Sequence, residues 1–289
     1  MRKINLFIFL LLFLVITGSS CKKNVTLFST GFVEENEKGL AVYDFNQRNG
    51  SLELITEAEL GPMASYLCFS DKHSLIYTIN EVFEFRGEFG GGLSTFSFDR
   101  ETYKTEKQNE LLIPYAGPCY ISLNYDSTYL FIASYPNGSV AAVSLDEKGI
   151  PISVTDTILF NKDEPDESHA HMIIHDPAGR FIYVTDLGMN RIYTFTFDKA
   201  TGKFQPVEGG LVQLPHKTGP RHFTFNADGS KFYMINENGC TIMVFNVKTD
   251  GKLEQLQTVP TLDPGFMNLN ACADIHLGKD GKNLYGTNR

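Results

Sequence analysis

Apolar and polar residues alternate through most of the chain, broken by short turns containing Gly or Asp. Five stretches repeat one pattern: "GPMASYLCFSDKHSLIYTINE" from Gly61, "GPCYISLNYDSTYLFIAS" from Gly117, "SHAHMIIHDPAGRFIYVTD" from Ser168, "GPRHFTFNADGSKFYMINE" from Gly219 and "NACADIHLGKDGKNLYGTNR" from Asn270. Each reads as a strand, a turn and a second strand rich in Tyr, Phe and Ile, which is a β-hairpin. A third strand follows each complete hairpin ("GGLSTFSFD", "GSVAAVSLD", "NRIYTFTFD", "CTIMVFNV"), and the N-terminal "GLAVYDFN" is a further copy. A fourth follows another turn ("GSLELITEAEL", "GIPISVTDTIL", "GKFQPVEGGLVQL", "GKLEQLQTVPTL"), with residues 101–113 a less regular version.

Aligned by their turns, the repeats place Lys72, Asp126, Ala178, Asp228 and Asp280 in register, 54, 52, 50 and 52 residues apart. Four antiparallel strands recurring at this period predict an all-β fold, a β-propeller of four-stranded blades. A β-sandwich would not require strand quartets at a constant period. Beyond the N-terminal segment no long apolar stripe of period 3.6 marks a helix. Four whole blades are expected at 61–116, 117–167, 168–218 and 219–270, with a partial blade at each end. The chain enters on a second strand, "VTLFSTGF", and stops at Arg289 after the second strand of another blade. That reading expects a propeller over 24–289, truncated after about five blades.

In a propeller blade the first strand lines the central channel. The start of strand one and the end of strand two then lie together on one face of the ring, where a ligand mouth is expected. The repeat-equivalent residues at the start of strand one are Ser65, Cys119, His171, Arg221 and Ala273. Those at the end of strand two are Glu81, Tyr135, Leu187, Glu237 and Arg289. His171, Arg221, Glu237 and Arg289 are therefore expected to converge on one sector of the mouth, with Glu81 in the same layer three blades away from Glu237. Asn80, Asp186, Asn236 and Asn288 precede the second series and are expected to support it. Arginine presents a planar fork to carboxylates, phosphates and developing oxyanions. Glu237 or His171 could serve as general base. The competing structural reading makes these solvated channel residues that bridge blades, with Arg221 paired to Glu237.

"ESHAHMIIHD", from Glu167, carries histidines at 169, 171 and 175, all on one face of a straight strand. At about 3.3 Å per residue, His175 lies roughly 13 Å from His171. It aligns with Phe225, a packing position, so no metal site is expected. His169 is a neighbour at the mouth. Alternation turns His222 away from Arg221, to pack between blades. "RGEFGGGL" (Arg86 to Leu93) lacks the Lys-Ser/Thr of a phosphate loop and falls where other repeats carry a loop.

Composition adds compartment and excludes classes. "MRKINLFIFLLLFLVITGSSCKK" has a basic start, an apolar run from Leu6 to Ile16, small residues and Cys21. The run is too short to span a bilayer and reads as an export signal over 1–20. Small residues directly before Cys21 resemble a bacterial lipobox, although Gly18 stands where Leu is usual. A lipidated Cys21 would be the only membrane contact of an exported lipoprotein. Loss of residues 1–20 takes Arg2 and Lys3 and moves the net charge from −9 to −11. An acidic protein is a poor nucleic-acid binder. Cys68, Cys119, Cys240 and Cys272 have no CxxC spacing, and four cysteines allow three disulfide pairings.

The motifs "SHAHMIIHDPAGRFIYVTDLGMNRI", "GPRHFTFNADGSKFYMINE" and "ADIHLGKDGKNLYGTNR" resemble the seven-bladed lactonase family, which includes propeller-type 6-phosphogluconolactonases and carboxy-muconate lactonizing enzymes. The resemblance implies seven blades. By motif it carries the His, Arg, Glu and Arg of the lactonizing enzyme's proposed site onto His171, Arg221, Glu237 and Arg289. It also implies hydrolysis of a sugar lactone, phosphorylated in the family's pentose-phosphate enzymes, to the open acid, without metal or cofactor. The partner would be a small anionic lactone or carboxylate. Export would place the protein away from a cytoplasmic phosphogluconolactone. Two alternatives stand beside it: a cycloisomerase or lyase that uses the same residues on an unsaturated acid, and a surface-anchored propeller that binds a partner without turnover.

Overall fold

The computed structural model describes residues 24–160, 162 and 167–289. The expected export segment, with Cys21, lies outside the described residues. These residues form 24 strands, numbered here in chain order. Each expected quartet is an antiparallel sheet in simple up-and-down order. β4 (Ala64–Ser70), β5 (Leu75–Asn80), β8 (Gly91–Phe98) and β9 (Thr105–Ile113) make one blade. β10 (Pro118–Leu123), β11 (Tyr129–Ser134), β12 (Ser139–Leu145) and β13 (Pro151–Leu159) make the next. β14 (Ala170–His175), β15 (Ile182–Asp186), β16 (Arg191–Asp198) and β17 (Lys203–Pro206) follow, then β19 (Pro220–Phe225), β20 (Lys231–Asn236), β21 (Thr241–Val247) and β22 (Leu253–Pro260). The three-stranded sheet of β1 (Asn24–Thr30), β2 (Leu40–Asn46) and β3 (Leu52–Ala58) precedes them. The hairpin of β23 (Cys272–Leu277) and β24 (Leu284–Asn288) closes the order. The chain is an all-β propeller, as its period predicts.

Two segments are less regular than their patterns. The connection at Arg86 carries its own small hairpin, β6 (Glu84–Phe85) with β7 (Glu88–Phe89), held by Arg86 bridging Glu35 and Glu110. The fourth strand of the 168–218 blade breaks into β17 and β18 (Val212–Gln213), which both pair with β16. Pro206 has no N–H to donate to the ladder, and Gly209 turns the backbone with φ of 67°.

Blades pack through aromatic seams. Phe223, Phe232 and Phe245 of one blade and Tyr183 of its neighbour are buried in one cluster. A repeated tether crosses this seam and another: Tyr183 Oη donates to Gly251 O at 2.8 Å and Tyr77 Oη to Gly149 O at 2.7 Å. Both acceptors are positive-φ turn glycines, at 81° and 84°, so close to the neighbour that a Cβ on Gly149 would stand 2.8 Å from the Tyr77 hydroxyl. Tyr183→Phe strands a carbonyl in the seam and is expected to cost about 1–2 kcal/mol. A urea midpoint equal to wild type would show that the tether contributes nothing.

Candidate active site at the channel mouth

The first strands β4, β10, β14, β19 and β23 adjoin in succession around the channel. Each departs from regular pairing at one place. The register shifts between Ala64 and Tyr66, Pro118 and Tyr120, Ala170 and Met172, Pro220 and His222, and Cys272 and Ile275. The first four shifts each leave a single residue without a pairing partner: Ser65, Cys119, His171 and Arg221. In the last, Ala273 and Asp274 fall in the gap. The first repeat series is therefore a ring of β-bulges, which re-aim side chains where a ladder is interrupted.

The second series is tied to the first by one repeated hydrogen bond. The backbone N–H groups of Glu81, Tyr135, Leu187, Glu237 and Arg289 donate to the carbonyls of Met63, Gly117, His169, Gly219 and Ala271 at 2.7–3.0 Å. Each acceptor lies two residues before the bulge residue of the same blade. Both series are thus held at one height by backbone geometry, whatever side chain each position carries.

They enclose a cavity of about 300 Å³ lined by Ser65, Glu81, Cys119, His171, Arg221, Glu237 and Arg289, with Phe32, Tyr66, Tyr135 and His222 completing the wall. Larger depressions, of about 380 and 630 Å³, border the N-terminal three-stranded sheet and collect none of the repeat-equivalent ionisable residues. Within the cavity, Glu237 Oε2 lies 2.8 Å from Arg221 Nε and 3.0 Å from Arg289 Nη2. The Arg221 contact is an ion pair whose N–H is not aligned as a hydrogen bond. Arg221 instead donates through Nη1 to Ala273 O at 2.6 Å, and Thr185 Oγ1 holds its backbone carbonyl at 2.6 Å. Burial pushes the Arg221 guanidinium below its ordinary value, and Glu237 works against that shift.

Burial raises the Glu81 carboxyl above its usual range, opposed by Ser65 and by the charge of Arg221. His171 is 8% exposed. Burial drives it well below the ordinary imidazole range and the Arg221 charge adds to this, so it stands neutral at neutral pH. Its Nδ1 is buried without a partner. Burial likewise pushes the Cys119 thiol up, away from thiolate chemistry.

The structural reading weighed from the sequence, Arg221 paired with Glu237, describes a contact that forms. Arg289 joins the same oxygen, which makes the pair a three-residue cluster facing the cavity. The other named residues do not reach it. His169 stacks on the Tyr135 ring at 4.4 Å, outside the wall. Asp186 accepts from Ser168 Oγ and from the N–H groups of His169 and Met189. Asn236 donates to Thr241, and Asn288 accepts from Thr261, Asn270 and Cys272. Asp186 and Asn288 brace the loops that enter the first strands, and Asn236 braces the turn into β21. His175 sits at the far end of its strand beside Tyr125. Among the described residues no group of three or more His, Cys, Asp or Glu is placed to hold a metal ion. The four cysteines are free.

One expectation fails. His222 does not turn away from Arg221. The bulge at Arg221 resets the alternation, and both side chains face the channel. His222 belongs to an inner layer with Tyr66 and Tyr120, whose ring centres lie 6.2 and 5.3 Å from its own. Its Nδ1 meets Asp274 Oδ1 at 2.8 Å. Strand alternation alone could not find this layer. The only available signal is that Tyr66, Tyr120, Met172, His222 and Asp274 each follow a position of the first series.

Residues 26–289 match the family described as Lactonase, 7-bladed beta-propeller. The chain is similar to a Bacteroides fragilis protein provisionally described as a 6-phosphogluconolactonase, with 28% identity, a TM-score of 0.82 and coverage of 94% of this chain and 76% of that one. A periplasmic gluconolactonase of Pseudomonas aeruginosa gives 28% identity, the same TM-score and coverage of 91% and 76%. An uncharacterised protein of Staphylococcus epidermidis is 28% identical over 265 residues, 89% of this chain and 74% of that protein. The matched span, the blade order and the channel-mouth cluster agree: this chain belongs to the seven-bladed β-propeller lactonase family.

Proposed function

We propose that the cavity hydrolyses the lactone of a sugar acid to the open-chain acid. The observation that carries this reading is the convergence of Arg221, Arg289, Glu237, Glu81 and neutral His171 on one cavity of a lactonase-family propeller. The gluconolactonase and 6-phosphogluconolactonase descriptions of the neighbours support the substrate class. Glu237 has one oxygen engaged by two guanidinium groups, which suits it to hold them in place rather than to take a proton. His171 is then the base. A water oxygen attacks the ring carbonyl as its proton passes to His171 Nε2, and the carbonyl oxygen becomes an oxyanion against Arg221 and Arg289. The ring C–O bond then breaks, and the proton returns from His171 to the departing alkoxide. With this reading we place the protein outside the cytoplasm, exported by residues 1–20 and anchored through lipid on Cys21.

A panel of aldonolactones, phosphorylated and not, tests it on the full chain. Saturable hydrolysis above the spontaneous rate, unchanged by chelator, is expected. Turnover of unsaturated diacids alone would replace the reading with a cycloisomerase. Saturable binding without any turnover would replace it with a binding scaffold.

A further inference from the structure

The lactonase reading uses His171 but leaves two buried nitrogen atoms unexplained. His171 Nδ1 and His222 Nε2 both lack a partner and are closed to solvent. Buried polar atoms without partners are uncommon in a native fold and call for an explanation. Here the two rings are neighbours, with centroids 5.1 Å apart and planes at 76°. An N–H···N bond of about 3 Å between two imidazoles spans roughly 5 Å between ring centres, which is the spacing of these two rings.

The opposite side of His222 is already fixed. Its Nδ1 lies 2.8 Å from Asp274 Oδ1. An ionised carboxylate only accepts, so Nδ1 must carry the proton, and a neutral ring then has a bare Nε2. Burial keeps His222 below its ordinary range despite Asp274. Burial also works to raise the Asp274 carboxyl, but the bonds from His222 and His276 outweigh it and hold Asp274 well below the usual range. Its second oxygen, Oδ2, meets His276 Nε2 at 2.9 Å, and its backbone N–H donates to Thr287 Oγ1 at 2.9 Å. The Ile275 N–H also donates to Oδ1 at 2.9 Å, so the carboxylate itself is held from three directions.

We propose that Asp274 and His222 are positioning residues for His171: Asp274 fixes the His222 tautomer, and the bare His222 Nε2 accepts the Nδ1 proton of His171. His171 thereby presents an unprotonated Nε2 to the cavity. When that atom takes the water proton, the positive charge is shared along His222 toward Asp274. The proton leaves again by Nε2 to the alkoxide, so the chain of three ends each cycle as it began. The arrangement spans β14, β19 and β23, three successive first strands. It exists because the bulges at His171 and Arg221, and the irregular register at Ala273 and Asp274, bring these side chains to the channel wall.

This inference rests on the lactonase reading for its kinetic test but not for its spectroscopic one. Nitrogen-15 NMR of the full chain, labelled at histidine, reads the tautomers directly. His222 and His171 are both expected as Nδ1–H forms at neutral pH, and an Nε2–H tautomer at either overturns the proposal. In kinetics, Asp274→Asn and His222→Gln are expected to lower kcat roughly 10–100-fold with KM little changed, a part of what a general base supplies. The acid limb of the pH profile should move to lower pH, because a histidine without its relay is a weaker base. Arg221, His171, Tyr66, Tyr120, Asp274 and, through Asp274, His276 all face His222, so the limb is compared between variants rather than assigned to one group. A structural role would lower the folded fraction and leave the limb in place. If Arg221→Ala abolishes turnover while both variants keep the wild-type rate and limb, the relay is wrong and the lactonase reading stands. If no lactone is turned over by wild type, the lactonase reading falls and the tautomers still decide the relay.

Discussion

Arg221→Ala is expected to lower kcat for lactone hydrolysis by about 10²–10³-fold, the loss seen when one donor to a developing oxyanion is removed. The geometry supports an effect on the transition state rather than on substrate binding alone. Arg221 is only 15% exposed at its side chain and is fixed by Glu237 on one side and Ala273 O on the other. A guanidinium held this way needs no reorganisation as charge develops. Arg289 is more exposed, at 58%, and shares the same carboxylate oxygen, so it has more freedom and its removal should cost less. Arg221→Lys keeps the charge but cannot both face Glu237 and reach Ala273, so it should recover only part of the rate. Glu237→Ala should lower the rate by loosening both arginines. The double variant should then fall little below the worse single one, because residues that act as a unit are not additive. Unchanged turnover in a folded Arg221→Ala protein would sink the lactonase assignment.

The parts of this site that are legible in the sequence are those set by the repeat period. Register places Glu237 and Arg289 at equivalent positions of adjacent blades and Arg221 in the paired series beside Glu237, and the structure joins their side chains. This works because the period counts residues through a backbone geometry repeated in every blade, the bulge and the N–H bond two residues behind it. The same geometry hides the inner layer. A bulge adds one residue and shifts the phase of every side chain after it, so alternation sends His222 to the wrong face. Nothing in residue type marks the bulges. Ser65, Cys119, His171 and Arg221 share no chemistry, and none is the glycine that one bulge class requires. Asp274 is harder still, because its partner His222 is 52 residues away and its neighbour His276 is solvent-exposed. Glu81 is placed at the mouth by register, but its raised carboxyl depends on burial beside Ser65 and Arg221, which a linear pattern does not contain.

Phe232→Ala is expected to destabilise the fold by about 3–5 kcal/mol, the usual cost of deleting a large buried ring. Phe232 is 0% exposed. Its ring stacks on Phe223 at 4.5 Å and meets Phe225, Tyr183 and Phe245 at 5.4–5.8 Å. Those neighbours belong to two blades, so no single side chain can collapse into the space without moving the seam. Phe223 is the residue directly after His222, and Tyr183 lies on the strand paired with β14, which carries His171. A cavity here therefore loosens the strands that hold the two imidazoles 5.1 Å apart. Phe232→Leu retains most of the volume and should cost much less. Tyr285→Ala, at a ring 61% exposed, should stay within about 0.5 kcal/mol. Urea midpoints at constant m-value measure all three. A Phe232→Ala protein within about 1 kcal/mol of wild type would mean that the seam relaxes freely. Rigid inter-blade packing could then not be what sets the distance between His171 and His222.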